Sequence, residues 1–259
     1  MDLDQMMRVA ERAAYRAGEI VRLRFGHLER VDEKAPFDLV TDADTAAETA
    51  ILDVIHRACP GHAVVAEESG TRVAEASDYT WLVDPLDGTV NYAHQLPFAA
   101  VSIALAKGRE PLVAAVLNPF SGELFSAVAG RGTRLNGEPV RVSPAGRVAD
   151  SLLATGFPYD RSRTGALVGR LERFIRAARG IRRFGSAALD LCFVACGRFA
   201  GYWEQGLKPW DTAAGLLIVR EAGGRVTDFS GRPFAIGGDE ILASNRRIHD
   251  EMLALLMDP

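Results

Sequence analysis

Cysteine is scarce in this 259-residue chain, and Cys59, Cys192 and Cys196 make neither an even set nor a Cys-x-x-Cys spacing. That excludes a disulfide framework and a zinc knuckle, and the three read as small buried hydrophobes. Long apolar runs are missing too: stretches such as Phe98 to Ala106 fall far short of the ~20 residues that span a membrane. The acidic start, Met1-Asp-Leu-Asp, leads straight into a helical pattern, so no secretory leader is expected and a cytoplasmic address follows. Positive charge is not in excess. The net charge of −4 disfavours a nucleic-acid footprint over the whole surface. The five histidines show no ligand-like spacing, and His56 and His62 read as surface or packing residues. What remains is 48% hydrophobic and 25% charged, an ordinary globular composition large enough for one generous core or two joined subdomains.

The apolar pattern outlines layered α and β. Met7, Ala10, Ala14, Ala17 and Val21 give residues 4–25 a helical stripe that Gly26 can end. A second amphipathic stretch, from about Asp44, carries Ala47, Ile51, Val54, Ile55 and Ala58 on one face until Pro60-Gly61 stops it. Short runs at 63–66, 79–83, 99–106, 112–117 and 124–128 predict strands, punctuated by Asn118-Pro119 and Ser121-Gly122 turns. After Asn136-Gly137 the chain alternates: strands near Leu152, Ile181, Tyr202, Val226 and Ile241, with helices at 164–178, 187–195 and 211–221. No repeat of roughly 20–50 residues recurs. The fold class is α/β in layers, one catalytic unit over 1–259 with subdomains at about 1–145 and 146–259.

The chemistry is concentrated in acids placed at the ends of these elements. Trp81-Leu-Val-Asp84-Pro85-Leu86-Asp87-Gly88-Thr89 ends an apolar strand on two aspartates three positions apart. Pro85 is expected to stop the strand, and Gly88 lets the main chain approach a ligand. Free N–H groups at the start of a following helix suit phosphate oxygens. Asp38-Leu-Val-Thr41-Asp42-Ala-Asp44 precedes the second helix, with Thr41 or Asp42 as a plausible N-cap. Glu67-Glu68-Ser69 closes the 63–66 strand, and Trp210-Asp211-Thr-Ala-Ala-Gly215 opens a helix after Pro209. Each acid alone has a structural explanation as a cap, a turn or a helix-dipole partner. Together they do not: unit charges ~4 Å apart repel by about 4 kcal/mol at an effective dielectric near 20. Such a cluster needs protons or cations, and all-oxygen donors select Mg2+ or Mn2+ over zinc.

The three motifs Glu67-Glu68-Ser69, Asp84-Pro-Leu-Asp87-Gly-Thr89 and Trp210-Asp211-x-Ala-Ala-Gly215, with Asp38-x-Val-Thr-x-x-Asp44, resemble the inositol monophosphatase family of Mg2+-dependent, lithium-sensitive phosphatases. The match covers essentially the whole chain. It implies the alternating α-β-α-β-α sandwich shared with fructose-1,6-bisphosphatase, and hydrolysis of a polyol or sugar phosphate, most of all myo-inositol monophosphate, by water activated by two or three Mg2+ ions. By the same resemblance, Glu67, Asp84 and the Leu86 carbonyl hold one metal, and Asp84, Asp87 and Asp211 a second. Thr89 and Asp44 orient and deprotonate the nucleophile, with Glu67 counted among the catalytic residues and Glu68 as outer support. The backbone of Gly88 and Thr89 takes the phosphate. Asp87, Ser186, Ala187 and Glu204 contact the alcohol, and Arg183 adds a second-phosphate or hydroxyl contact. Lys34, four residues before Asp38, departs from some members of the family, which carry their basic residue one place upstream where this chain has Glu33; it is expected to bias the third-metal or phosphate region and is assigned no catalytic part. Relatives on this frame also hydrolyse fructose 1,6-bisphosphate, histidinol phosphate and adenosine bisphosphate, and pocket-edge loops choose among them.

A rival reading belongs to another class. Between Asp160 and Phe184 stand Arg161, Arg163, Arg170, Arg173, Arg176, Arg179, Arg182 and Arg183, a basic stripe that could bind RNA or an acidic protein. No aromatic platform accompanies it, so a solvated helix face is favoured. The expected partner is a small phosphate ester. Family members are commonly dimers, and Phe157-Pro158 and Phe193-Val194 are candidate contacts in a symmetric pair.

Overall fold

The protein is described here as a computed structural model covering residues 1–72 and 77–257. Helix α1 (Leu3–Arg24) starts from Asp2, whose carboxylate accepts from the Asp4 and Gln5 N–H groups. Its buried stripe contains Met6, Val9, Ala10, Ala13, Ala14, Ala17 and Val21, and Met7 packs against the same core from its edge. Met7 is half-buried at the border, where a 3.6-residue period places it. Strands β1 (Val31–Ala35) and β2 (Asp38–Thr41) form a separate two-stranded hairpin, and α2 (Asp42–Ala58) follows directly. Thr41 is the N-cap of α2, in a capping box closed by Asp44.

The next elements are β3 (Ala63–Ala66), β4 (Gly70–Arg72), β5 (Tyr79–Asp87), the short helix α3 (Thr89–Ala93), β6 (Ala100–Lys107), β7 (Glu110–Asn118), β8 (Glu123–Val128), β9 (Thr133–Leu135) and β10 (Glu138–Val140). Then come β11 (Leu152–Thr155), α4 (Thr164–Ala177), β12 (Gly180–Arg182), α5 (Ala187–Ala195), β13 (Gly201–Gln205), α6 (Pro209–Glu221), β14 (Arg225–Thr227), β15 (Glu240–Ser244) and α7 (His249–Met257). The large sheet runs β10-β9-β8-β7-β6-β5-β3-β4 and the small one β12-β11-β13-β15-β14.

Strand alternation sorts the side chains into three cores. Trp81, Val83, Ile103 and Leu105 on one face of the large sheet pack under α1 and α2, with Ala10, Ala14 and Ile51. Leu82, Ala104 and Val116 on its other face meet α5 and α6, which also take Tyr202, Ile241 and Ala243 from the small sheet. Leu153, Trp203 and Leu242 on the far face of the small sheet are covered by Phe174 of α4 and Met252 and Leu256 of α7. The layers are therefore α-β-α-β-α. Each fully buried Leu or Ile contributes roughly 1.5–3 kcal/mol, which is why the period-2 pattern fixes the register.

Several elements were not in the sequence expectation, the β1–β2 hairpin among them, and two further features depart from it. Pro85 does not end the strand: β5 continues to Asp87 and pairs antiparallel with β6, Asp84 opposite Ser102 and Asp87 opposite Ala100. Three steps on β5 face two on β6, so the strand carries one extra residue, and a bulge is where a sheet tolerates a residue without an N–H. Second, α7 closes the small sheet's outer face although its sequence gave no capped pattern. The cysteines divide: Cys59 and Cys192 are buried, while Cys196 is half-buried.

Candidate active site

The bulge in β5 turns both of its aspartates toward one cleft. Asp84, only 2% exposed, accepts from the Leu86 N–H at 2.9 Å, while Asp87 Oδ2 accepts from the Ser186 hydroxyl at 2.6 Å and the Ala188 N–H at 2.7 Å. The start of α5 thus holds Asp87 across 99 residues of sequence. Glu67 arrives because β3 lies parallel to β5, Ala66 level with Val83, and its own N–H donates to the Val83 carbonyl at 3.1 Å. Asp211 sits in the first turn of α6, where its carboxylate accepts from the Lys208 N–H at 2.7 Å. Glu67, Asp84, Asp87 and Asp211 all line the cleft.

Burial sets the electrostatics. It raises Asp84 well above the ordinary carboxylate range, and the charges of Glu67, Asp87 and Asp211 push the same way. Asp211 is raised by burial and then by Asp87. Asp87 is raised by burial and partly held back by Ser186 and the backbone of Ala188 and Ala187. Glu67, also raised by burial, is restrained by Lys34.

At the cleft floor stands Thr89, the first residue of α3. Gly88 before it has φ +100°, and a Cβ there would meet the Phe98 and Gly185 carbonyls at 3.1 and 3.2 Å, so this turn excludes a side chain. The Thr89 hydroxyl lies 2.9 Å from Asp44 Oδ1 and 2.9 Å from the Leu86 carbonyl. Asp44 is fully buried; its Oδ2 accepts from the Thr41 N–H at 2.9 Å and from the Thr41 hydroxyl. Burial pushes Asp44 up to about 6 against those hydrogen bonds.

Lys34, expected from the resemblance to bias the third-metal or phosphate region without being catalytic, lies among the acids. Its Nζ is 2.7 Å from Glu67, 2.9 Å from Glu68 and 3.8 Å from Asp38. Burial alone would lower its pKa, but Glu67 and Glu68 more than offset that and hold the ammonium above its ordinary value. Glu48 of α2 fixes the turn beneath, accepting from the Glu68 and Ser69 N–H groups at 2.8 Å each. Among the described residues, no group of three or more His, Cys, Asp or Glu side chains already stands in metal-holding geometry; these carboxylates instead face each other, an ammonium and backbone donors.

The opposite wall carries Glu204 and Arg183. Glu204, at the end of β13, accepts a hydrogen bond from the Tyr202 hydroxyl and is pushed by burial up to about 7. Gly156 makes room for it: a Cβ there would lie 1.8–2.0 Å from the Glu204 carboxylate. Arg183 stacks its guanidinium over Phe157, 5.2 Å from the ring centre. Ala187 lines the cleft and Ser186 caps α5 behind it. Sequence reasoning missed Gly156 and Tyr159 on this wall and Asn91 beneath it, whose Nδ2 donates to the Phe98 and Phe184 carbonyls. Asn91 follows the Asp-Gly-Thr motif closely, and that proximity was its one available signal.

Most arginines of the stripe make a contact within the chain, although Arg161, Arg176, Arg179, Arg182 and Arg183 stay exposed. Arg170 donates to Gln205 and covers Phe229. Arg173 donates to the Leu255 carbonyl, Arg176 pairs with Glu172 and Arg179 with Asp150. Arg161 lies over Phe37 and Arg182 donates to the Ile181 carbonyl; the side chain of Arg163 lies outside the described residues. Of the candidate dimer contacts, Val194 is wholly buried and Phe193 packs against the middle core, whereas Phe157 and Pro158 line the cleft. His62 is a packing residue, its Nδ1 accepting from Trp81 at 3.1 Å. No helix among the described residues is long and apolar enough to cross a membrane.

The inositol monophosphatase family profile matches residues 2–258. The chain is 45% identical to the inositol-1-monophosphatase of Synechocystis over 97% of this chain and 88% of the relative. It is 43% identical to the Nus factor SuhB of Escherichia coli K12 over 98% and 96%. The inositol monophosphatase structure from Anabaena superposes with a TM-score of 0.90 at 41% identity, covering 99% of this chain and 97% of that one. The family profile over nearly the whole chain, the identities to these relatives and the shared five-layer fold agree: the chain belongs to the inositol monophosphatase family.

Proposed function

We propose that the protein is a Mg2+-dependent phosphomonoesterase acting on a polyol or sugar monophosphate, with myo-inositol monophosphate as its leading substrate. The observation that carries this is the convergence of Glu67, Asp84, Asp87 and Asp211 on one cleft beside the Thr89–Asp44 pair. The donor set fits a hard divalent cation: it is all oxygen, and burial first and the neighbouring carboxylates second raise Asp84 and Asp211. Glu67, Asp84, the Leu86 carbonyl, Asp87 and Asp211 would hold it, Mn2+ being a possible substitute. Bound there, the cations would offset phosphoryl charge and make water a better nucleophile.

The chain's own residues supply the proton path. The Thr89 hydroxyl has one proton and two acceptors in reach. Given to Asp44, that proton leaves the Leu86 carbonyl free and the Thr89 oxygen able to accept from an attacking water. Asp44 then receives the proton, its raised pKa suiting a base near neutrality. Backbone N–H groups of Gly88 and Thr89 at the floor take phosphoryl oxygens. Glu204, Arg183, Ser186 and Ala187 bind the alcohol side. Fructose 1,6-bisphosphate and histidinol phosphate are the alternative substrates of the same site. Lithium inhibition, a homodimer and a cytoplasmic setting complete the proposal.

The test is phosphate release from a panel of sugar and polyol esters, with and without chelator. The proposal predicts Mg2+-restored hydrolysis with the inositol ester foremost; no release from any ester at saturating Mg2+ rejects it. A second reading, a regulatory role, is favoured by the name Nus factor borne by the 43%-identical relative. RNA or protein retention that survives Asp84→Asn would establish that role independently of hydrolysis.

A further inference from the structure

We propose that Tyr202 is a positioning residue for recognition of the alcohol: its buried hydroxyl fixes the Glu204 carboxylate so that one oxygen is left to accept from a hydroxyl of the leaving polyol. The inference deepens, and rests on, the reading of Glu204 as a contact to the alcohol.

Tyr202 and Glu204 stand two residues apart on β13, so their side chains leave the same face of the strand. β13 is the middle strand of the small sheet, and Tyr202 is held between Ala154 of β11 and Ala243 of β15. The tyrosine is fully buried in the core between the two sheets. Its ring serves that packing, but its hydroxyl does not: a phenylalanine would fill the same space with no polar atom to satisfy. Among the described residues, the hydroxyl makes one hydrogen bond, to Glu204 Oε2, and the Glu204 carboxylate accepts no other.

Glu204 needs that donor. Burial and the charge of Asp87 disfavour its ionised form, and the Tyr202 hydroxyl, ahead of Arg183, acts the other way. Behind it lies a further acid, Asp190 of α5, 1% exposed and with Oδ1 unpartnered among the described residues. Burial first and Glu204 second hold Asp190 well above the ordinary carboxylate range. A carboxylate set among such neighbours without a donor would turn or take up a proton. Turning is further limited by Gly156, whose bare backbone lies directly against the carboxylate. With Oε2 taken by Tyr202, Oε1 is the unoccupied oxygen on a residue that lines the cleft. Tyr202 therefore favours esters whose alcohol carries further hydroxyls, without itself lining the cleft.

The experiment is steady-state kinetics of the full chain at saturating Mg2+, with myo-inositol 1-phosphate and with phenyl phosphate, whose alcohol has no second hydroxyl. Wild type, Tyr202→Phe, Glu204→Gln and the double variant are compared. Tyr202→Phe should raise KM for the inositol ester about tenfold more than for phenyl phosphate, the scale of one charge-assisted hydrogen bond, with kcat within about threefold. In the Glu204→Gln background the same substitution should add less than about twofold, because two residues acting through one contact are not additive. An equal loss on both esters, an unchanged KM for the inositol ester, or an additive loss in the double variant overturns the inference and leaves the phosphatase reading intact. Should Tyr202→Phe fail to fold, 3-fluorotyrosine placed at position 202 decides: its fluorine resonance should move when myo-inositol is added to protein holding phosphate and Mg2+, and a resonance that stays put overturns the inference. Phosphate release from neither ester by wild type rejects the hydrolysis reading itself, and the inference with it.

Discussion

The two sides of the cleft are built to different standards. On one side Asp84, Asp87, Asp211 and Asp44 stand on buried strand ends and helix starts, each carboxylate held by donors of the scaffold such as the N–H groups of Leu86, Ala188, Lys208 and Thr41. On the other, Lys34 and Asp38 come from a two-stranded hairpin whose first strand is mostly exposed, and Tyr159 from a connecting loop; Arg161 lies over Phe37 at 4.6 Å among the contacts between them. Rigid placement goes to the groups whose charges must be held against repulsion. The rim is left weakly tied, as a path for cation, ester and product requires.

Breaking the rigid side should cost most. Asp84→Asn keeps the shape of the side chain and removes its charge; kcat/KM should fall at least about a thousandfold, well beyond the ~10–100-fold typical of losing an outer partner of a metal site. Steady-state kinetics with saturating Mg2+ checks this. Thr89→Ala removes the hydroxyl between Asp44 and Leu86, and kcat should drop by roughly 10²–10⁴ with Mn2+ affinity retained. A rise in KM alone would move Thr89 from proton handling to positioning.

Behind the rigid wall, His249 staples the small sheet, its ring nitrogens 2.7 Å from the Ser244 hydroxyl and 2.9 Å from the Thr227 hydroxyl. Burial lowers its pKa from 6.5 to about 4. The unfolded chain therefore takes up this proton first as pH falls, and stability present above pH 6.5 is lost on the way to pH 4, by ~3 kcal/mol at most. The raised site acids act in the opposite direction, binding protons more tightly when folded. Denaturant unfolding of wild type and His249→Gln across pH 4–7 separates the two: the wild-type loss should be larger than the variant's.

Gly156→Ala presses a methyl into the Glu204 carboxylate, and should raise KM about tenfold, equivalent to ~1.4 kcal/mol, with a smaller change in kcat. Phe37→Ala cuts the rim's clasp. Because an exposed cation–π pair is worth ~0.5–1 kcal/mol, activity should stay within about threefold, while protease cleavage near residue 37 should quicken. A thousandfold loss in Phe37→Ala would erase the distinction between the two sides.

Most of the frame was legible in the sequence because its signals are local. The 63–66 and 187–195 predictions coincide with β3 and α5, and the Asn136-Gly137 turn joins β9 to β10. The acids stood out because each occupies the start or end of a predicted element, and the structure brings Glu67, Asp84, Asp87 and Asp211 to one cleft. What escaped depends on distance in sequence. Nothing near Lys34 announces a partner 33 residues on, and nothing near Gly156 announces Glu204. The β1–β2 hairpin was invisible for another reason: Val31-Asp-Glu-Lys-Ala is mostly exposed and so carries no apolar alternation. Pro85 misled because a proline stops a regular ladder, whereas this strand carries a bulge at that point.

The account stands on the buried acids of β5, the turn after β3 and the start of α6 caging divalent cations. Crystals soaked in Mn2+ and measured at its absorption edge test this most directly. Anomalous peaks should lie between Glu67, Asp84, Asp87 and Asp211 and vanish in Asp84→Asn. A fully occupied Mn2+ soak with no peak among those four carboxylates would contradict it.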